Sequence, residues 1–148
     1  DHSLHGAEPD KPQVRTVVHV HGARVPPESD GYPEAWFEPG RSLVCYYPNE
    51  QDAAMLWYHD HAMGINRLNV YAGLLGLFFI RDGFEDRLSL PSGKYEVPLL
   101  LCDRLLDRGR GAQPACGAPP PRGAASYCAV ACASTASRLK AAAISARV

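Results

Sequence analysis

The chain changes character after Asp107, and a single uniform domain does not accommodate that change. All 16 acidic residues and all six histidines fall within Asp1 to Asp107, and the 41 residues beyond hold neither. That tail carries six basic residues (Arg108, Arg110, Arg122, Arg138, Lys140 and Arg147) and 13 alanines. Nine basic residues remain before it, so the first stretch carries −7 and the tail +6; the net charge of −1 is an accident of joining them. No general nucleic-acid or anionic-membrane role follows from that balance. The longest apolar run, Val70 to Ile80, is too short for a helix that spans a bilayer. Its Gly73 and Gly76 suit a buried strand better than a helix. The chain opens on Asp1 with no basic-then-apolar leader, which leaves its compartment open.

Residues 1–107 read as a succession of short strands. Val14 to Val20 is rich in β-branched residues, and Ser42 to Tyr47, Ala54 to His61, Leu74 to Ile80 and Tyr95 to Leu101 continue the pattern. Pro98 sets a bulge or an edge in the last of these. Between the first two, Arg24 to Gly40 holds four prolines and two glycines around an aromatic cluster, the composition of a long ordered loop. Ala62 to Val70 fits a short helical turn. The expectation is an all-β fold, a β-sandwich or barrel. Five strands are few for a closed sandwich and leave edges exposed.

The tail, 108–148, is Ala/Arg/Gly/Pro-rich and of low complexity. It has too little large apolar surface to offset the entropy of ordering, so the expectation is disorder. Propensity alone allows a short helix near Ser137 to Ala146, with little to pack against. A break this abrupt is what a reading-frame shift in a GC-rich gene produces, and the coding DNA read in all three frames tests that origin. Five cysteines give no disulfide framework. Cys45 and Cys102 sit in apolar runs and read as buried free thiols. In the tail are Cys116, Cys128 and Cys132, and the CxxxC spacing of the last two lacks a histidine or acid to complete a zinc site.

Chemistry concentrates in two identical patterns, His19-Val20-His21 and His59-Asp60-His61. On a strand, residues i and i+2 face the same side, roughly 6.5–7 Å apart. Each pattern therefore aims two imidazoles at one face, with Val20 in the first and Tyr58 and Asp60 in the second turned away. One strand histidine is ordinarily a hydrogen-bonding residue; two such pairs at the ends of apolar strands indicate a metal site. Imidazole ligation suits copper, zinc, iron or nickel. The nearest acid after His21 is Glu28, so neither an HxHxDH hydrolase run nor a cupin-like glutamate follows, and no general base for a zinc hydrolase is evident. Two strand pairs fit half of a polynuclear centre better than a whole mononuclear one. His2 and His5 lie outside any strand pattern and read as solvated.

The stretches Thr16 to Gly22 (TVVHVHG), Ser29 to Trp36 (SDGYPEAW) and Leu56 to Met63 (LWYHDHAM), followed by RLNVYAGLLGLFFIRD, resemble the first cupredoxin domain of bacterial multicopper oxidases. The branch they resemble is that of the CotA-like spore-coat laccases, with phenoxazinone synthase and bilirubin oxidase as relatives. The resemblance covers about Asp1 to Asp107 and stops where composition changes. It implies a partial cupredoxin-like Greek-key β-sandwich over 1–107 that lacks the family's opening strands. It also implies copper as the cofactor, with a phenol or aromatic amine as one-electron reductant and dioxygen as the acceptor reduced to water. By the same resemblance His19 binds the type 2 copper, His21 and His59 share one type 3 copper, and His61 binds the other. Asp30 matches an acidic residue that assists proton delivery, although capping the loop before Gly31 accounts for it as well. Trp57 shares the histidine face and shields the cluster or simply fills core, and Asp60 lies behind the ligands. In that family the other four cluster histidines and the type 1 ligands come from a C-terminal cupredoxin domain with HxxHxH and HCHxxxH motifs, and neither motif occurs here. The expectation is therefore half of a trinuclear site without a type 1 site, inactive as a laccase alone. A second domain or partner subunit would complete it, and a non-catalytic copper-binding module is the alternative.

Overall fold

The computed structural model describes residues 2–107 apart from 3, 5 and 13, together with segments 111–113, 125–132 and 142–147, side chains being described as far as Cys102. The elements are strands β1 (Val18–His21), β2 (Ser42–Tyr47) and β3 (Ala54–Asp60), helix α1 (Asn66–Ala72), then β4 (Leu75–Ile80) and β5 (Leu99–Asp107). Beyond them the backbone runs as β6 (Gly111–Gln113), β7 (Ala125–Cys132) and β8 (Ala142–Arg147). The all-β expectation holds, with one short α-helix. Three antiparallel sheets result, ordered β1-β3-β4, β2-β8 and β6-β5-β7.

Alternation along the strands builds the core. In β2, Cys45 and Tyr47 point inward while Val44 and Tyr46 face out. They pack with Val20 of β1 and with Phe78 and Ile80 of β4 into one buried cluster. A second cluster, Val17, Ala62 and Ile65, sits beneath Trp36 and Leu68, and Leu43 touches both. Burying a side chain such as Val20 or Phe78 contributes about 1.5–3 kcal/mol, so these few residues carry much of the cohesion. They also decide orientation: with Val20 in the core, His19 and His21 lie on the other face of β1.

Several boundaries differ from the sequence expectations. β1 begins only at Val18, since Thr16 pairs instead with Phe37 in an isolated bridge across the Arg24–Gly40 loop. The apolar run Val70 to Ile80 is not one strand. Its first three residues finish α1, and Gly73 (φ +109°) ends the helix in the left-handed region, its N–H directed at the Asn69 and Val70 carbonyls. α1 itself starts four residues later than Ala62. β5 starts after Pro98, whose missing N–H suits the position before a ladder, and Gly93–Tyr95 forms a 3₁₀ turn instead of strand. Cys45 is buried and free as expected, but Cys102 is only half-buried. Over the second half of the allowed Ser137–Ala146 helix the backbone is strand, β8. The side chains of Cys116, Cys128 and Cys132 lie outside the described residues. Among the described residues no helix is long and apolar enough to cross a membrane.

Candidate metal centre

The ladder between β1 and β3 brings the two histidine pairs together. His19 stands opposite His59, and His21 stands opposite Trp57. Ring centroids of His19 lie 5.6 Å from His21, 5.5 Å from His59 and 4.6 Å from His61, the last in a stacked arrangement. His21 and His59 are 5.7 Å apart, and His59 and His61 are 5.6 Å apart at 87°. Ligand nitrogens of His19, His21 and His59 converge to within 4.8 Å of one another. All four expected histidines therefore meet, although His61 reaches the group by stacking on His19 and is not one of the converging three.

Main-chain carbonyls fix how the rings are presented. His19 Nδ1 is 2.6 Å from the Asp30 carbonyl oxygen, His61 Nδ1 is 2.8 Å from that of Gly31, and His59 Nδ1 is 2.7 Å from that of Asp60. A carbonyl only accepts, so each Nδ1 carries a proton, and in the neutral ring the lone pair lies on Nε2. His59 shows the result most plainly: its Nε2 is buried and has no hydrogen-bond partner. Burial pushes the His59 pKa down, and the neighbouring His19, His61 and His21 push it the same way, against its hydrogen bond to the Asp60 carbonyl. A buried imidazole whose open nitrogen faces other imidazoles fits a metal ion.

The turn that supplies two of these carbonyls is itself tightly held. Pro27–Ser29 forms a 3₁₀ turn, the Ser29 hydroxyl accepts the Tyr46 N–H of β2 at 2.9 Å, and Asp30 caps the turn. Gly31 follows at φ +74°, and a Cβ there would fall 2.1 Å from the Val18 carbonyl oxygen. Only glycine lets the chain pass this close to β1 and place consecutive carbonyls on His19 and His61. The Asp30 carboxylate is half-exposed, with Oδ1 3.4 Å from His19 Nδ1, so it borders solvent and the outer edge of the His19 ring. Asp30 closes the turn with its backbone N–H, which donates to the Pro27 carbonyl.

Trp57 lies on the histidine face as expected, stacked on His59 at 4.1 Å and on His21 at 5.6 Å. Asp60 lies behind it, 2 % exposed. His2 is exposed and bonded to the Ala7 carbonyl, whereas His5 lies outside the described residues. Sequence reasoning overlooked Thr16, whose hydroxyl donates to Asp60 at 2.7 Å, and the carbonyl of Gly31. The DG dipeptide signalled a turn but not what its carbonyls would touch.

Comparison with known proteins agrees with this geometry. A family model described as multicopper oxidase matches residues 11–84. The laccase of Bacillus subtilis (strain 168) is 50% identical over 117 residues, covering 72% of this chain and 23% of that protein. Bilirubin oxidase of Albifimbria verrucaria is 45% identical over 89 residues, or 59% of this chain and 16% of that one. Among solved structures, laccase from Pediococcus acidilactici Pa5930 superimposes with a TM-score of 0.57 at 33% identity, covering 62% of this chain and 21% of that chain. The fold over the matched region is accordingly the laccase cupredoxin type. The chain spans less than a quarter of the length of these relatives.

Proposed function

The chain belongs to the multicopper oxidase family, and from that premise we propose that it supplies one half of a polynuclear copper centre in a laccase-like oxidase. The observation that carries this reading is the convergence of His19, His21 and His59 nitrogens within 4.8 Å, with the buried His59 Nε2 left open toward them. His19 would hold the type 2 ion, His21 and His59 one type 3 ion, and His61 the second. Copper held there would supply one-electron redox chemistry toward dioxygen, with electrons from a phenolic or aromatic-amine reductant entering through a type 1 site that this chain does not contribute. The chain's own residues set the stage. The Asp30, Gly31 and Asp60 carbonyls hold three rings with their open nitrogens inward, and Trp57 covers the His59 and His21 rings. Reducing dioxygen to water consumes protons, and the half-exposed Asp30 carboxylate beside His19 would pass them from solvent.

The remaining ligands and the type 1 site would come from a further cupredoxin domain or a partner subunit. Residues 1–107 form the copper-binding piece in this proposal and 108–148 a compositionally distinct tail; the family match lying wholly within the first piece supports the division, although β7 and β8 of the tail pair with β5 and β2. The family match leaves a zinc hydrolase without support. A non-catalytic copper module differs from the oxidase half only in what the chain does once paired.

Copper titration of the full chain tests the reading, followed by metal content, EPR and fluorescence. Bound copper should quench Trp57, which stacks 4.1 Å from His59, and Trp57→Phe should remove most of that quenching. His19→Ala combined with His61→Ala should abolish uptake; unchanged stoichiometry would refute the ligand assignment. Oxidation of a phenolic dye by the chain alone would sink the half-site reading.

A further inference from the structure

Resting on the copper reading above, we infer that Asp60 is a positioning residue for His61: its carboxylate ends β3 between the two histidines and sets where the second one faces. The ladder itself shows the interruption. His19 and His59 form a registered pair, as do Val18 and Asp60, where the ladder ends; continuing that register would set Val17 opposite His61. Antiparallel pairs alternate between those that exchange two hydrogen bonds and those that exchange none. Val17 and His61 occupy a position that should exchange two, yet they make only one. The His61 N–H donates to the Val17 carbonyl at 2.8 Å, while the Val17 N–H donates to Asp60 Oδ1 at 3.0 Å. The side chain of Asp60 has taken the donor that the His61 carbonyl would otherwise accept.

Two further bonds complete the substitution. The Thr16 hydroxyl donates to the same Oδ1 at 2.7 Å, and the Ala62 N–H donates to Oδ2 at 3.3 Å, so the chain turns immediately after His61. Freed from the strand, the His61 ring stacks on His19 at 4.6 Å and places Nδ1 on the Gly31 carbonyl. A carboxylate suits this position because all three partners are donors. An asparagine there offers one oxygen, and its NH₂ confronts at least one N–H or O–H. A buried carboxylate without such donors is costly, which is why the group and its three partners form a unit.

Two variants of the full chain, Asp60→Asn and Thr16→Val, test the role. Long-range ¹H–¹⁵N histidine spectra of the copper-free protein read each tautomer separately. In the unsubstituted chain His19 and His61 should both show protonated Nδ1. In folded Asp60→Asn, His61 should lose that tautomer while His19, held by Asp30, keeps it. Copper affinity should fall roughly 10–100-fold, with altered EPR hyperfine splitting. General loosening would shift both histidines together. If Asp60→Asn does not fold, Thr16→Val carries the test, with a smaller shift confined to His61. A His61 spectrum and copper EPR signal identical to the unsubstituted chain in the folded variant would overturn the role. A chain with the expected tautomers that takes up no copper would instead refute the copper reading and leave the positioning of His61 supported.

Discussion

The two histidine pairs are written alike and built differently. In His19-Val20-His21 both histidines stay in β1, and the intervening Val20 is sunk in the apolar core with 1 % exposure. In His59-Asp60-His61 the strand ends at Asp60, equally buried but held by three hydrogen bonds, and His61 lies outside β3. One pair is aimed by hydrophobic burial, which is non-directional and fixes a face. The other is aimed by directed polar bonds, which fix a turn. The lesson is that an HxH motif specifies two imidazoles, while the residue between them specifies geometry.

Three changes break or sharpen that contrast. Gly31→Ala strikes both pairs, since the Asp30–Gly31 turn holds one histidine from each. A Cβ 2.1 Å from the Val18 carbonyl at φ +74° should cost about 3 kcal/mol in urea unfolding and weaken copper uptake. An unchanged midpoint would show that the turn is not a clamp. Val20→Ala removes only the apolar backing of the first pair. It should cost about 2 kcal/mol while leaving the copper EPR signal of the folded protein intact. Altered hyperfine splitting would mean that Val20 also sets ligand geometry.

Acidification makes the smallest change and falls mainly on His59. Burial and its histidine neighbours hold its native pKa below the ordinary 6.5, so the unfolded chain binds more protons between those two values. This contribution to stability is therefore complete above about pH 6.5 and is lost as pH falls below it. Copper uptake by the folded chain should fall only at lower pH, once His59 itself protonates, because a protonated imidazole cannot ligate. His59→Gln should flatten the dependence of the urea midpoint on pH; an equally steep dependence would shift the cause to other groups.

Much of this was legible in the sequence where periodicity speaks. Ser42 to Tyr47 alternates inward and outward side chains, and β2 occupies those residues. The histidine face of β3, with Trp57 on it and Asp60 behind, follows from period two alone. What escaped were features set by single polar bonds. Ala54 to His61 reads as one strand because nothing in local pattern says that Asp60 will accept the Val17 N–H 43 positions away. Likewise the run from Val70 to Ile80 is uniformly apolar, and only the left-handed Gly73 divides helix from strand. The carbonyls of Asp30 and Gly31 carry no side-chain signature, yet they determine which nitrogen of His19 and His61 is open.

Arg15 links the lead-in residues to the turn that follows His61. Its guanidinium, 2 % exposed and lying over the Trp36 ring, donates to the Pro12, Gly6 and Met63 carbonyls. Two of those three acceptors belong to the residues that precede β1, and the third lies two positions past His61. Proteolytic trimming up to Pro12 would thus strand a buried cation with one acceptor, and the damage would surface beside the second histidine pair. Residues up to Pro12 serve as the lining of a charge, and their removal should be felt beside His61.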